Sequence, residues 1–209
     1  RIDSLIKTLI VDTNRSSVPI YNYLNKIGHE VWVIGNDEKA HLAKISRNYE
    51  KLNFSDHDRL QRFIDKKNFD YLIPGCSDAS YLACVSVNNN RYANLDSLDT
   101  FNIIHNKVNF RKFASSIDIP VPRSVKENEV HKFSKIILKP VDSFSGKGIS
   151  ILSKPNNDEL NRAKNHAESY SPSSGIVMEE YIEGQLFSHS AFFQNHKLVA
   201  DFIVREDCT

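Results

Sequence analysis

Lys139 closes the apolar run Ile136-Ile137-Leu138, and a small-residue loop follows it: Pro140-Val141-Asp142-Ser143-Phe144-Ser145-Gly146-Lys147-Gly148, leading into Ile149-Ser150-Ile151. A cation fixed at the end of a rigid strand, beside a loop that exposes backbone N–H groups, suits an anion such as a nucleotide phosphate. Glycine sharpens this reading, because it lacks the Cβ that would hold a phosphate oxygen away from the chain. The sequence has only seven glycines, and two of them fall within three residues here. A lone lysine at a strand end is ordinarily solvated, as a lone loop lysine is. The succession Lys-Pro, small-residue loop and Gly-Lys-Gly is what moves Lys139, and more weakly Lys147, towards phosphate contact.

Two further segments stand in a fixed order around this loop. His105-Asn106-Lys107 opens a helical stretch that ends at Ile119-Pro120-Val121-Pro122. Downstream, Val177-Met178-Glu179-Glu180-Tyr181-Ile182-Glu183-Gly184 is an apolar strand running into two carboxylates and a turn. Taken singly, Lys107 reads as a helix-surface residue, Glu179 and Glu180 as strand-edge carboxylates, and Tyr181 and Ile182 as core side chains. Taken in order, the three segments resemble the ATP-grasp family of ATP-dependent ligases, in particular its carbamoyl-phosphate-synthase-like and biotin-carboxylase-like members.

The resemblance implies a role for each matching position. Lys107 stands at the family's first ATP-contacting lysine, with Asn106 in place of the usual aspartate. Lys139 stands at the second lysine, which reaches the α and β phosphates. Ser143, Ser145, Gly146, Lys147 and Gly148 match the loop that folds over the phosphates. Glu179, Glu180, Tyr181 and Ile182 match the segment that seats adenine, where backbone groups read the ring edge and apolar side chains cover its faces. Two departures stand out. Leu186 occupies the place of a ribose-binding glutamate, which leaves Glu183 as a substitute. The family's magnesium ligands, an acidic residue and a Glu-x-Asn pair, would lie beyond Thr209. The resemblance therefore implies ATP and, for a full-length protein, Mg2+ with ligands outside this chain, together with small-molecule carboxylate and amine-type substrates joined through an acyl phosphate. A homodimer is the assembly it allows. The 209 residues alone are expected to bind nucleotide without turnover, and a non-catalytic nucleotide-binding module is the alternative.

The elements that must position these groups follow from periodicity. Up to about residue 104, short apolar runs (Leu9-Ile10-Val11, Val31-Trp32-Val33-Ile34, Tyr71-Leu72-Ile73) alternate with helical spacing (Ile20, Leu24, Ile27; then Leu60, Phe63, Ile64). This is the pattern of strands and crossover helices in a parallel sheet. Asp56 and Ser77 or Asp78 are placed to cap helices. Segments after the strands, beginning at Asp12, Gly35 and Pro74, are candidate pocket walls. None carries G-x-G-x-x-G, which disfavours a dinucleotide-dependent oxidoreductase. The polar stretch Asn88 to Ser97 suggests a boundary, with Phe101 to Ile104 as a strand or connector. A helix is expected from about 106 to 116, with Val108, Phe113 and Ile117 among its apolar positions.

Beyond it the pattern changes to an antiparallel hairpin (135–139 with 148–152), a helix opening at Asn157, a strand at Ile176 and a hairpin around Asn195-His196. The expected fold is α/β. A Rossmann-like parallel-sheet domain (1–104) precedes an ATP-grasp α+β lid subdomain (105–180) and the start of an incomplete catalytic core (181–209).

Composition excludes other classes. Twenty-seven basic against 26 acidic side chains leave a formal charge of +1, with no basic surface for nucleic acid. No apolar run reaches the roughly 20 residues a bilayer span needs, so the cytoplasm is expected. Cys76, Cys84 and Cys208 form no Cys-x-x-Cys pair, and the eight histidines form no close ligand pair.

Overall fold

The structure, a computed structural model, describes residues 5–143 and 146–207. It divides into two compact units, Arg1–Asn109 and Phe110–Thr209.

In the first unit, strands β1 (Lys7–Val11), β2 (Glu30–Gly35), β3 (Asn48–Lys51) and β4 (Tyr71–Pro74) form a wholly parallel sheet in the order β3-β2-β1-β4. β1 is buried on both faces, as its unbroken apolar run requires. Its alternate residues serve two cores. Ile10 packs with Val31, Val33 and with Tyr21, Leu24 and Leu42 of helices α1 (Val18–Lys26) and α2 (His41–Ile45). Leu9 and Val11 pack with Leu72 and with Leu60, Ile64, Ala83 and Val87 of α3 (His57–Lys67) and α4 (Asp78–Val87). Helices thus cover both faces, and the strand order reverses at β1, with β2 and β3 on one side and β4 on the other. In open α/β sheets this reversal opens a crevice at the strands' carboxyl ends.

Local bonds join the segments that flank it. Ser77 donates to Asp12 Oδ2 at 2.6 Å, and its own oxygen accepts the Ser80 N–H as the cap of α4. Gly75 is required here, because a Cβ would stand 2.7 Å from both Asp12 Cβ and the Val11 carbonyl oxygen. Asp56 caps α3 by accepting the Arg59 N–H, as its position in the sequence suggested.

Two local expectations are corrected, and two short elements were not anticipated. Strand β3 and the five-residue α2 fall in a stretch without a clear period. Phe101 to Ile104 lie in a helix, α5 (Leu98–His105), capped by Ser97, which accepts the Thr100 N–H. Along α6 (Lys107–Ser116), Ala114 is the buried position, whereas Phe113, and Ile117 just past the helix end, are about half exposed.

In the second unit, β5 (Lys135–Pro140) lies between β6 (Ser150–Ser153) and β7 (Ile176–Glu180), antiparallel to both. Ile136 and Leu138 face a core with Leu160 and Ala163 of α7 (Asn157–Ser169) and with Val125 and Val130. Asn156 and Glu159 form a reciprocal capping box that starts α7. β8 (Leu186–Gln194) and β9 (Lys197–Glu206) make a separate two-stranded hairpin, turning through Asn195 and His196 at positive φ. No helix among the described residues is long and apolar enough to cross a membrane.

Candidate functional site

The sheet register explains how the second unit assembles charged groups. Ile137 stands opposite Glu179 and Lys139 opposite Val177, so Lys139 and Glu179 are diagonal neighbours on the face turned away from α7. Lys139 Nζ donates to Glu179 Oε2 at 2.8 Å. Arg111, from α6, grips the same carboxylate with two donors, Nε to Oε1 at 2.6 Å and Nη2 to Oε2 at 3.3 Å. Glu179 is 1% exposed, while the side chains of Lys139 and Arg111 retain 16% and 26% exposure. Burial pushes the Glu179 carboxyl up, but hydrogen bonds and charge from Arg111 and Lys139 outweigh it and hold the group below the usual range. Two cations around one carboxylate leave a net positive charge, and both retain solvent contact through which an anion could approach.

The loop after β5 is anchored at both ends. At its start, the Val141 N–H donates to the Gly175 carbonyl, and the Asp142 carboxylate accepts from the Ser171 hydroxyl and the Ser173 N–H. Burial raises the Asp142 pKa and these bonds more than reverse it, leaving it low. At its end, Gly148 adopts φ +74°, and a Cβ there would meet Pro140 Cγ at 2.7 Å and Tyr170 Cβ at 2.9 Å. Gly146 also has positive φ but opens onto empty space. Asp142, Ser143 and Lys147 line a cleft of about 390 Å³ together with Ser169, Tyr170 and Ser171. Gly146 and Lys147 are exposed. Ser145 lies outside the described residues.

The remaining positions are distributed as follows. Asn106 caps α6, its Oδ1 accepting from the Val108 and Asn109 N–H groups, so the amide fulfils the capping role an aspartate would have. Lys107 is the first residue of that helix. The Glu180 carboxylate is bound by Arg123 through backbone N–H and side chain, which keep its pKa low. The backbone N–H groups of Glu180 and Tyr181 are already donated to the carbonyls of Arg123 and Lys135. The Tyr181 ring lies under the Lys135 ammonium and Ile182 is exposed. Glu183 pairs with Lys135, and Leu186 lies exposed opposite Glu206.

Sequence reasoning missed Arg111, Arg123 and Ser171. Arg111 had a signal: it follows Lys107 by four residues and precedes buried Ala114 by three, which places all three on one helix face. Arg123 and Ser171 are fixed by strand pairing and loop contact, for which local sequence carries no mark. Among the described residues, no group of three or more His, Cys, Asp or Glu side chains comes together as a metal site. Cys76 is exposed and Cys84 buried, both free.

Comparison with known proteins bears on this geometry. Residues 104–206 match the family described as the ATP-grasp domain. The chain is 24% identical to a phosphoribosylamine–glycine ligase of Pyrococcus furiosus, over 93% of this chain and 47% of that protein. It is also 24% identical to a formate-dependent phosphoribosylglycinamide formyltransferase of Prochlorococcus marinus, over 75% of this chain and 42% of the relative. Among solved structures, N5-carboxyaminoimidazole ribonucleotide synthetase from Thermotoga maritima superposes with a TM-score of 0.73 at 20% identity, covering 96% of this chain and 53% of that one. The Staphylococcus aureus N5-carboxyaminoimidazole synthetase, solved in complex with ADP, gives 0.71 at 15% identity, over 98% and 55%. The chain therefore spans about half the length of the relatives it matches, and their likeness carries the α/β architecture across both units.

Proposed function

From a chain that carries an ATP-grasp domain over residues 104–206, we propose that the protein is the nucleotide-binding part of an ATP-dependent carboxylate–amine ligase. The observation that carries this reading is the cluster of Lys139 and Arg111 on Glu179, an anion-seeking site at the end of β5 where the phosphate loop begins. Lys139, with Lys107, holds the phosphates, and Ser143, Ser145, Gly146, Lys147 and Gly148 close over them. Glu179, Glu180, Tyr181 and Ile182 border the adenine. Because the N–H groups of Glu180 and Tyr181 are engaged in the sheet, recognition of the ring edge falls to Ile182 and to carbonyl oxygens of this segment.

The substrate class is supported by the relatives. Their names pair a carboxylate, glycine or formate, with an amine-bearing ribosyl phosphate. In a ligase of this kind the carboxylate takes the γ-phosphoryl group and the amine then displaces phosphate. Closing the loop excludes water from that reactive acyl phosphate. Mg2+ would neutralise charge on the phosphates. The described residues offer no group of three or more His, Cys, Asp or Glu side chains to hold it.

Leu186 favours a second reading, a nucleotide-binding module without catalysis, since it supplies no ribose contact where a carboxylate is expected. The intact protein decides between them. A ligase releases ADP and phosphate from ATP only when a carboxylate and an amine are both supplied, and a screen of such pairs that gives nucleotide binding without release supports the module. Tight binding of NAD(P) in place of ATP would contradict both.

A further inference from the structure

Lys139 has a conflict of duty. In the structure it neutralises Glu179, a carboxylate with 1% exposure. To reach a phosphate it must loosen that contact, and a buried carboxylate stripped of its only cation is strongly disfavoured. Glu179 has a second cation, however. Arg111 approaches with the planar fork that suits bidentate carboxylate binding, touches both oxygens, and comes from a different element, α6, so its hold does not depend on the position of the Lys139 side chain. The Lys139 ammonium is a point charge on a flexible stem, and the Arg111 guanidinium is a fixed fork. One is built to move and the other to stay.

We propose that Arg111 is a positioning residue for Lys139: it satisfies the buried Glu179 alone when Lys139 turns to an anionic phosphate, so that the lysine is released without stranding a buried charge. The idea rests on the reading of Lys139 as a phosphate contact and adds the group that makes the contact affordable. It also gives Glu179 a role apart from adenine. The carboxylate parks Lys139 when the site is empty and competes with phosphate for it.

The test is calorimetric titration of ADP into the 209-residue chain and five variants: Lys139→Ala, Arg111→Met, Arg111→Lys, Glu179→Gln and the double variant Arg111→Met/Glu179→Gln. Arg111→Met should weaken ADP binding at least about tenfold, because Lys139 must then remain with Glu179. Arg111→Lys should restore part of the loss. In the Glu179→Gln background no buried anion needs a partner, so adding Arg111→Met should change affinity by less than about twofold. An equal loss in both backgrounds, or no loss in the single variant, overturns the proposal. Should Arg111→Met fail to fold by circular dichroism, Glu179→Gln alone decides: freed from its competitor, Lys139 should bind ADP about twofold or more tighter, and unchanged or weaker binding refutes the handover. Lys139→Ala separates the two ideas. If it leaves ADP affinity unchanged, the phosphate reading itself fails, and the role of Arg111 falls with it. If it weakens binding while Arg111→Met does not, only the handover is wrong.

Discussion

At the scale of single residues, the account turns on Glu179, whose environment differs sharply from that of its neighbour Glu180. Glu179 is buried between two cations, whereas Glu180 is bound by Arg123, a side chain with 72% exposure. Replacing a buried charge leaves its partners uncompensated, so Glu179→Ala should lower stability by roughly 3 kcal/mol, whereas Glu180→Ala should barely move the melting temperature. The pH dependence follows from the direction of the shift. A carboxyl held below its ordinary 4.5 in the folded protein contributes stability above that value and loses it as pH falls through the folded pKa. Melting temperatures from pH 7 to pH 3 should therefore fall below about pH 4.5 in the wild type and fall less steeply in Glu179→Gln, and identical acid limbs would contradict the buried pair. The sequence made Glu179 and Lys139 legible as functional candidates. It did not make legible that they bind each other, because a diagonal contact across 40 residues depends on strand register, which local periodicity leaves open.

At the scale of elements, the β5 loop is defined by what fixes its two ends. The strand-loop-strand was readable because apolar alternation and paired glycines bound it, and Ile137 indeed pairs with Ile151. The difference between the glycines was not readable, since it comes from Pro140 and Tyr170 packing over Gly148. Gly148→Ala, which must bear both a positive φ and a close contact, should cost about 2 kcal/mol, and Gly146→Ala, bearing the φ alone, about 1 kcal/mol. Chemical denaturation of both variants checks this, with equal losses as the contrary result. Short or ambiguous elements were the ones missed or misread. α2 is too short to display a helical period, and Phe101-Asn102-Ile103-Ile104 offers too few residues to separate strand from helix, although Ser97 three residues before Thr100 marks a helix start.

At the scale of the whole molecule, two compact units of different architecture share one chain. The first is doubly wound, with Ser77 hydrogen-bonded to Asp12 at its switch point. The second carries a cation cluster and an anchored loop, and ends in a hairpin that leaves Phe192, Phe202 and Ile203 more than 60% exposed, a surface of the kind that partners cover. The alternation of strand and helix in the first half made its parallel sheet legible, because each strand needs a crossover to reach the next. The hairpin's pairing was legible from its turn. Its apolar character on both faces was visible only once Leu186 to Gln194 and Lys197 to Glu206 were aligned in register. The central claim is that Lys139 belongs to a nucleotide-phosphate site. It is tested most directly by titrating ADP into this chain and into Lys139→Ala under the same salt and pH. The account predicts saturable binding by the wild type and at least about tenfold weaker binding by the variant, and equal affinities would contradict it.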